Sequence, residues 1–384
     1  MTRTVLSIGN FLSASHFFLI VYIIAPYLAT FMPANQTGLV ISMGAVLTLT
    51  VLPFAPRIIA HYGPRHLAVV LGCTEFVVLS WLSLSPPAPV AVLLSAVAFA
   101  TSPLIAYQLD LLLEGTVSEE GATGRVRTAF LTAGNSALIL APLVTGLLLG
   151  EGDHYSRVFL AAACSLVPFV VLFNARKAPH IPSLPTDDGL RRAALRAWRD
   201  RDLRAVIGGA FILQSFYNLA TLYIPLYLHD ALGMPWSQLG WMFAIMLLPF
   251  VLVEYPAGII ADRVLGDQEL MFSGFVLAGL SFGLIAFVHG ASSVAFVLGL
   301  LVATRVGGAL AESMTEGHFF RRVSEKDASM VGLFRAMRPT ASLIAPLIGS
   351  LLLGFFGYQA LFALSGLLVI AAGGIAALSI RDFR

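Results

Sequence analysis

Apolar stretches of about 20 residues follow one another along almost the whole chain, separated by short polar breaks. A hydrocarbon core of about 30 Å needs roughly 20 predominantly apolar residues per helix, so this pattern predicts membrane-spanning helices rather than the alternating strands of a barrel. In the first half the pattern predicts spans near 5–31, 37–55, 67–85, 88–113, 128–150 and 156–174. A second set is predicted near 205–229, 237–260, 270–289, 292–317, 329–354 and 358–380. The first stretch is too long for the apolar core of a secretory signal, and it is expected to stay in the mature chain as one of the first six.

Composition agrees with the pattern. The chain is 58% hydrophobic and 11% charged, with a mean hydropathy of +0.86, far from the balance of a soluble domain. Of its 23 Lys and Arg, 19 fall on one predicted side: Arg3, Arg57, Arg65, Arg125, Arg127, eight between 175 and 204, Arg263, Arg321, Arg322, Lys326, Arg381 and Arg384. The opposite side has only Arg157, so the positive-inside rule predicts cytoplasmic termini and an even number of spans; the expected location is the cell (inner or plasma) membrane. The two cysteines, Cys73 and Cys164, lie inside predicted spans with no CxxC or Cys/His cluster, so neither a disulfide nor a metal is expected.

The expected domains are a six-helix bundle over 1–174, a linker over 175–204 and a second six-helix bundle over 205–384. The linker begins Pro-rich and then becomes basic, with Leu190, Leu195, Trp198 and Leu203 interspersed. That reads as a short helix resting on the anionic inner leaflet, and the topology accounts for the basic residues without nucleic acid.

The halves also resemble each other. YIIAPYL at 22–28 and MP at 32–33 recur as YIPLYL at 223–228 and MP at 234–235. VSEEGA at 117–122 recurs as VSEKDA at 323–328, and APLVTGLLLG at 141–150 as APLIGSLLLG at 345–354, each about 200 residues on and in the same order. Two parallel six-helix repeats joined by a linker form a secondary-transporter architecture.

With these features the sequence resembles the major facilitator superfamily over essentially its whole length. The family's Gly-x-Leu-Ala-Asp-Arg signature appears between spans eight and nine as GIIADRVLG, which retains Gly258, Asp262 and Arg263. Between spans two and three it is degenerate: in RIIAHYGPRH, Arg57 replaces the glycine and His61 the aspartate, while Gly63 and Arg65 remain. The resemblance implies an all-α membrane protein of twelve transmembrane helices in two pseudo-symmetric bundles. It also implies a gating role for Asp262, Arg263 and Arg65, and the APL motifs at Pro142 and Pro346 are similar to the Gly-Pro motif of the family's antiporters.

Charge inside the spans is the candidate chemistry. Arg305 lies near the middle of the tenth span, where an ionised side chain costs roughly 2.5–3.5 kcal/mol on insertion scales, so it must meet a partner or water. Glu312 and Glu316 follow seven and eleven residues on, and at about 100° per residue all three share one stripe. Arg305 is expected to bind an anionic group or fix a carboxylate, and Glu312 to take and release a proton. Glu316 is assigned to the gate with Arg335, Arg338 and Glu254. The fourth span ends AYQLDLLLEG, whose Tyr107, Gln108, Asp110 and Glu114 answer the tenth by the repeat, Asp110 opposite Glu316. For Asp110, Glu114, Glu316 and the arginines near the next span, Arg125, Arg127, Arg335 and Arg338, interface pairing is the competing role. Asn10, His16 and Tyr22 in the first span, with Gln214, Tyr217, Asn218 and Tyr223 in the seventh, supply further polar lining. Glu75 in the third span finds no local partner.

The expectation is therefore a monomeric secondary transporter working by alternating access in the lipid bilayer, with its site near midplane between the halves and coupled to protons. No GxxxxGKS or catalytic constellation argues for a nucleotide, another cofactor or an enzyme. Export of a small amphipathic or drug-like compound is the first reading and import of a small organic anion the second. A transporter-like sensor without flux is the reading from another class.

Overall fold

In a computed structural model, residues 3–114, 123–175, 187–263, 265–324 and 327–381 are described. The described elements are helical. They are α1 (Arg3–Ile20), α2 (Ile24–Ala29), α3 (Thr37–Val51), α4 (Ala55–Tyr62), α5 (Pro64–Leu82), α6 (Ala88–Glu114), α7 (Thr123–Leu149) and α8 (Tyr155–Asn174). Then come α9 (Asp187–Arg199), α10 (Arg201–Pro225), α11 (Trp236–Leu247), α12 (Pro249–Leu252), α13 (Glu254–Arg263), α14 (Asp267–Leu284), α15 (Val294–Arg322), α16 (Ala328–Arg335), α17 (Met337–Leu368) and α18 (Gly374–Ser379). Among the described residues, ten helical segments are long and apolar enough to cross a membrane. One of them, Ser329–Ser379, runs for 51 residues, and a shorter apolar helix covers Trp236–Leu252.

Each predicted span overlaps a helical segment, but several are not simple rods. The predicted 237–260 stretch is three helices, α11 to α13, because Pro249 and Pro256 have no N–H to continue the ladder and their rings clash with the preceding turn. The second span likewise passes through a 3-10 turn at Leu52–Phe54, in the sequence LPFAP, and continues to Tyr62, beyond the predicted end at 55. In the 51-residue segment the direction changes at Gly357, whose φ of +77° an L side chain rarely adopts.

The chain divides into two compact units. One comprises Met1–Leu184 together with Met234–Ala244, and the other Pro185–Gly233 with Ile245–Arg384. In the first, α1 packs on α7 and α8, α5 on α6 and α8, and α3 on α6. The start of α11 belongs to this unit through a backbone approach: a methyl on Gly146 would lie 2.8 Å from the Trp236 carbonyl oxygen and 2.9 Å from the Gly240 Cα. Tyr22 stacks on Phe243 beside it, with ring centroids 5.2 Å apart.

In the second unit, α14 packs along α15, α10 lies against α17 and α15, and the basic helix α9 contacts α10 and α16. Arg196 of α9 pairs with Asp327 at 2.8 Å, while Leu195 and Trp198 stay exposed. Lipid and helix interior are equally apolar, so close contact rather than hydrophobic transfer must hold α14 to α15. Small residues supply it. A methyl on Gly307 would meet the backbone of Ala278, and the Gly274 carbonyl oxygen at 2.7 Å. Backbone atoms cannot swing aside, so Gly307→Ala is expected to destabilise the protein by about 1–3 kcal/mol, read as a lower denaturation temperature in detergent. An unchanged temperature would mean that this crossing is looser than described.

Candidate functional site

The tenth predicted span is α15, which carries Arg305, Glu312 and Glu316. Arg305 and Glu312, seven residues apart, both point at α10 and meet the same residue there. The Arg305 guanidinium lies 5.6 Å from the Tyr217 ring centroid and 6.0 Å from that of Phe216, and the Tyr217 hydroxyl donates to Glu312 Oε2 at 2.8 Å. The close fit depends on Gly308, where a methyl would stand 2.9 Å from Tyr217 Cε1. On its other side Tyr217 meets Phe250 edge-on, with centroids 5.7 Å apart.

The energetics of Arg305 are unfinished in this arrangement. It is 2% exposed, and its Nε and Nη2 have no hydrogen-bond partner. Two ring contacts near the 6 Å limit offset part of the cost of burying the charge, but hydrogen bonds left unmade on a buried charged group remain costly. A carboxylate, phosphate or carbonyl presented to those two nitrogens would close the gap. Glu312 has charged neighbours of both signs, Glu316, Arg338 and Arg305.

Gln214 and Asn218 also lie on α10, with Asn218 Nδ2 donating to the Gln214 carbonyl oxygen at 2.8 Å. Tyr223, expected to line a cavity, is instead wholly buried, with its hydroxyl donating to the Pro346 carbonyl oxygen at 3.0 Å and lying 3.2 Å from Ser350 Oγ. It joins α10 to α17 through that carbonyl and the Ser350 hydroxyl, which is how a polar residue can stand there without water.

Of the predicted gate, Glu316, Arg335 and Arg338 are exposed. The side chains of Asp262, Arg263 and Glu254 lie outside the described residues, as do those of Glu114, Arg125 and Arg127. Sequence reasoning missed the ion pairs at the end of α15. Arg322 pairs with Asp202 in the first turn of α10, and Arg321 with Asp267 in the first turn of α14, where His318 Nδ1 also lies 3.1 Å from Asp267 Oδ2. Acids in the first turn of two spans suit the helix dipole, and only packing shows which arginines they meet. Asp267→Ala, which removes an acceptor shared by His318 and Arg321, is expected to lower stability by about 2 kcal/mol. Chemical or thermal unfolding in detergent measures it.

In the first unit the predicted lining residues are spread along α1 and α6. Gln108 is buried with its Oε1 unpartnered, while Tyr107 packs against the apolar cluster of Ala55, Ile59 and Leu111, and Asp110 is half-buried one turn further on. Asn10 Nδ2 donates to the Phe130 carbonyl oxygen at 2.8 Å, and Tyr22 is held in its stack on Phe243. Arg65 reaches the end of α8, donating to the Asn174 carbonyl oxygen at 3.1 Å, a favourable place for a cation. His16 meets Ser102 and Glu75, as described below.

No curated protein matches the chain by sequence. Among solved structures the fold is similar to that of the nucleoside transporter NupG, with a TM-score of 0.78 at 14% identity, covering 99% of this chain and 100% of that one. It is also similar to a POT family transporter in complex with 5-aminolevulinic acid, with a TM-score of 0.76 at 14% identity and coverage of 98% and 95%. The family model of the Major Facilitator Superfamily matches residues 6–240 and 206–382. With apolar helices throughout, a transporter's fold and a family match over nearly its full length, this chain is a multi-pass membrane protein that belongs to the Major Facilitator Superfamily.

Proposed function

We propose that the protein is a proton-coupled secondary transporter of the cell membrane, working by alternating access, that exports a small amphipathic compound bearing an acidic or carbonyl group. The observation that carries this reading is the Arg305–Tyr217–Glu312 cluster. A buried guanidinium with two unused donors suits an acceptor on the substrate, two aromatic rings suit its apolar part, and a carboxyl on the same tyrosine suits a proton. Because the Tyr217 hydroxyl is bonded to Glu312 while its ring faces Arg305, a ligand that moves the ring also alters the surroundings of the carboxyl. That is a physical route from substrate to proton. One charge moved through 100 mV supplies about 2.3 kcal/mol, enough to drive roughly a fifty-fold gradient.

Export rests on the two APL motifs, and import of a small organic anion is favoured by Arg305's unused donors. Reconstituted vesicles carrying a pH-sensitive dye and screened with nucleosides, short peptides and aromatic acids separate the readings. A ligand that accumulates in acid-inside vesicles and alkalinises them is exchanged for protons, as export requires. Accumulation in alkaline-inside vesicles supports import with protons instead. Binding without flux of either kind would leave the sensor reading standing and end this one.

A further inference from the structure

The first unit contains a second buried ionisable cluster that the proposed transport chemistry does not use. Glu75 of α5 and His16 of α1 are both within the packed interior, at 0% and 1% exposure. Between them stand two hydroxyls of α6. Thr101 Oγ1 is bonded to Glu75 Oε2; Ser102 Oγ lies 3.4 Å from Glu75 Oε1 and 3.2 Å from His16 Nε2. His16 Nε2 itself is 3.8 Å from Glu75 Oε1, and Nδ1 lies towards the Ser13 carbonyl without a hydrogen bond.

Among the described side chains no Lys or Arg pairs with the carboxyl; on α5 Arg65 donates to the Asn174 carbonyl oxygen and His66 is exposed. α3 has no titratable residue, and on α8 Arg157 and Cys164 are exposed while Tyr155 packs edge-on to Tyr27. On α5 itself Cys73 is exposed, as are Arg57, His61 and Tyr62 of α4. Tyr107 and Asp110 lie five and eight residues past Ser102 on α6, about 8 and 12 Å along the axis. On α7 the only ionisable residues, Arg125 and Arg127, lie outside the described side chains. A lone carboxylate here would be an unpaired charge in a medium without water, which is expensive.

The hydroxyls can satisfy the cluster in two ways. Thr101 also reaches the Val97 and Ala98 carbonyl oxygens at 3.0 and 3.2 Å, and Ser102 the Ala98 carbonyl oxygen at 3.0 Å. With a proton on Glu75, the hydroxyls donate to these helix carbonyls and the carboxyl donates its own proton to one of them. With the proton gone from Glu75, both hydroxyls turn to the carboxylate and His16 Nε2 is near enough to hold the proton that left. The same heavy-atom positions serve both states, so a proton enters or leaves without repacking.

We propose that Glu75, His16, Thr101 and Ser102 form a proton-binding site in the first unit, in which one exchangeable proton is shared between the carboxyl and the imidazole. It is a second site for the proton as ligand, separate from Glu312, and its test needs no transported substrate. Infrared difference spectra of the full protein reconstituted in lipid, titrated from about pH 5 to about pH 9, report protonated carboxyls directly. The expected result is a carboxyl band that fades as pH rises, is missing in Glu75→Gln and has a midpoint shifted by at least about half a pH unit in His16→Gln. Persistence of the band unchanged through the range, or the same midpoint in His16→Gln, would overturn the site. Should Glu75→Gln fail to fold, imidazole nitrogen resonances of the labelled parent replace it: a change in His16 protonation with the fading band supports the shared proton, and a His16 signal indifferent to pH refutes it.

Discussion

Glu312→Gln is expected to leave ligand binding in place while abolishing ligand-driven proton movement to the level of empty vesicles. Glutamine has the size of glutamate and its amide oxygen still accepts from the Tyr217 hydroxyl, which lies 2.8 Å from the carboxyl, so the packing of α10 on α15 should survive. What it lacks is an exchangeable proton. Binding is read from the ligand-induced rise in denaturation temperature, which follows the logarithm of ligand concentration over Kd, and proton movement from the trapped dye. Ligand exchange down its own gradient should persist, because the substrate no longer waits on a proton. A variant that still moves protons with the ligand would assign coupling to another group.

Arg305→Ala is expected to weaken binding by about 10- to 100-fold, the range set by about 1.5–3 kcal/mol for hydrogen bonds to a charged group. Arg305→Lys keeps the charge but loses the planar fork, and should fall between the two. Stability gives the discriminating readout. If Arg305 were present to hold helices together, Ala would lower the denaturation temperature. Because its Nε and Nη2 are buried without partners, removing it relieves an unsatisfied charge, and the temperature of the ligand-free protein is expected to stay level or rise. Loss of stability with unchanged binding would return Arg305 to a packing role.

Much of this was legible from spacing. Seven residues turn an α-helix by nearly two full turns, so Arg305 and Glu312 had to share a face, and small residues at 307, 308 and 311 marked where neighbours come close. The face opposite was not legible, because nothing local says that Tyr217 rather than Gln214 or Asn218 meets both charges. The His16–Glu75 cluster was hidden for the same reason: its members lie on three helices, 86 residues apart at the widest between His16 and Ser102, and each alone reads as an isolated polar residue. Acids such as Asp202 and Asp267 look from sequence like ordinary helix starts, and only packing shows that α15 ends on them. Helix breaks at Leu52–Phe54 and Leu248 were written in the prolines, but apolar periodicity runs through them unchanged.

The most direct test of proton coupling through α15 is ligand accumulation in vesicles under an imposed pH gradient, with parent and Glu312→Gln in parallel and a protonophore added midway. Accumulation in the parent that collapses on adding the protonophore, and is absent from Glu312→Gln, is the predicted result. Accumulation that ignores the protonophore, or that Glu312→Gln retains in full, would contradict it.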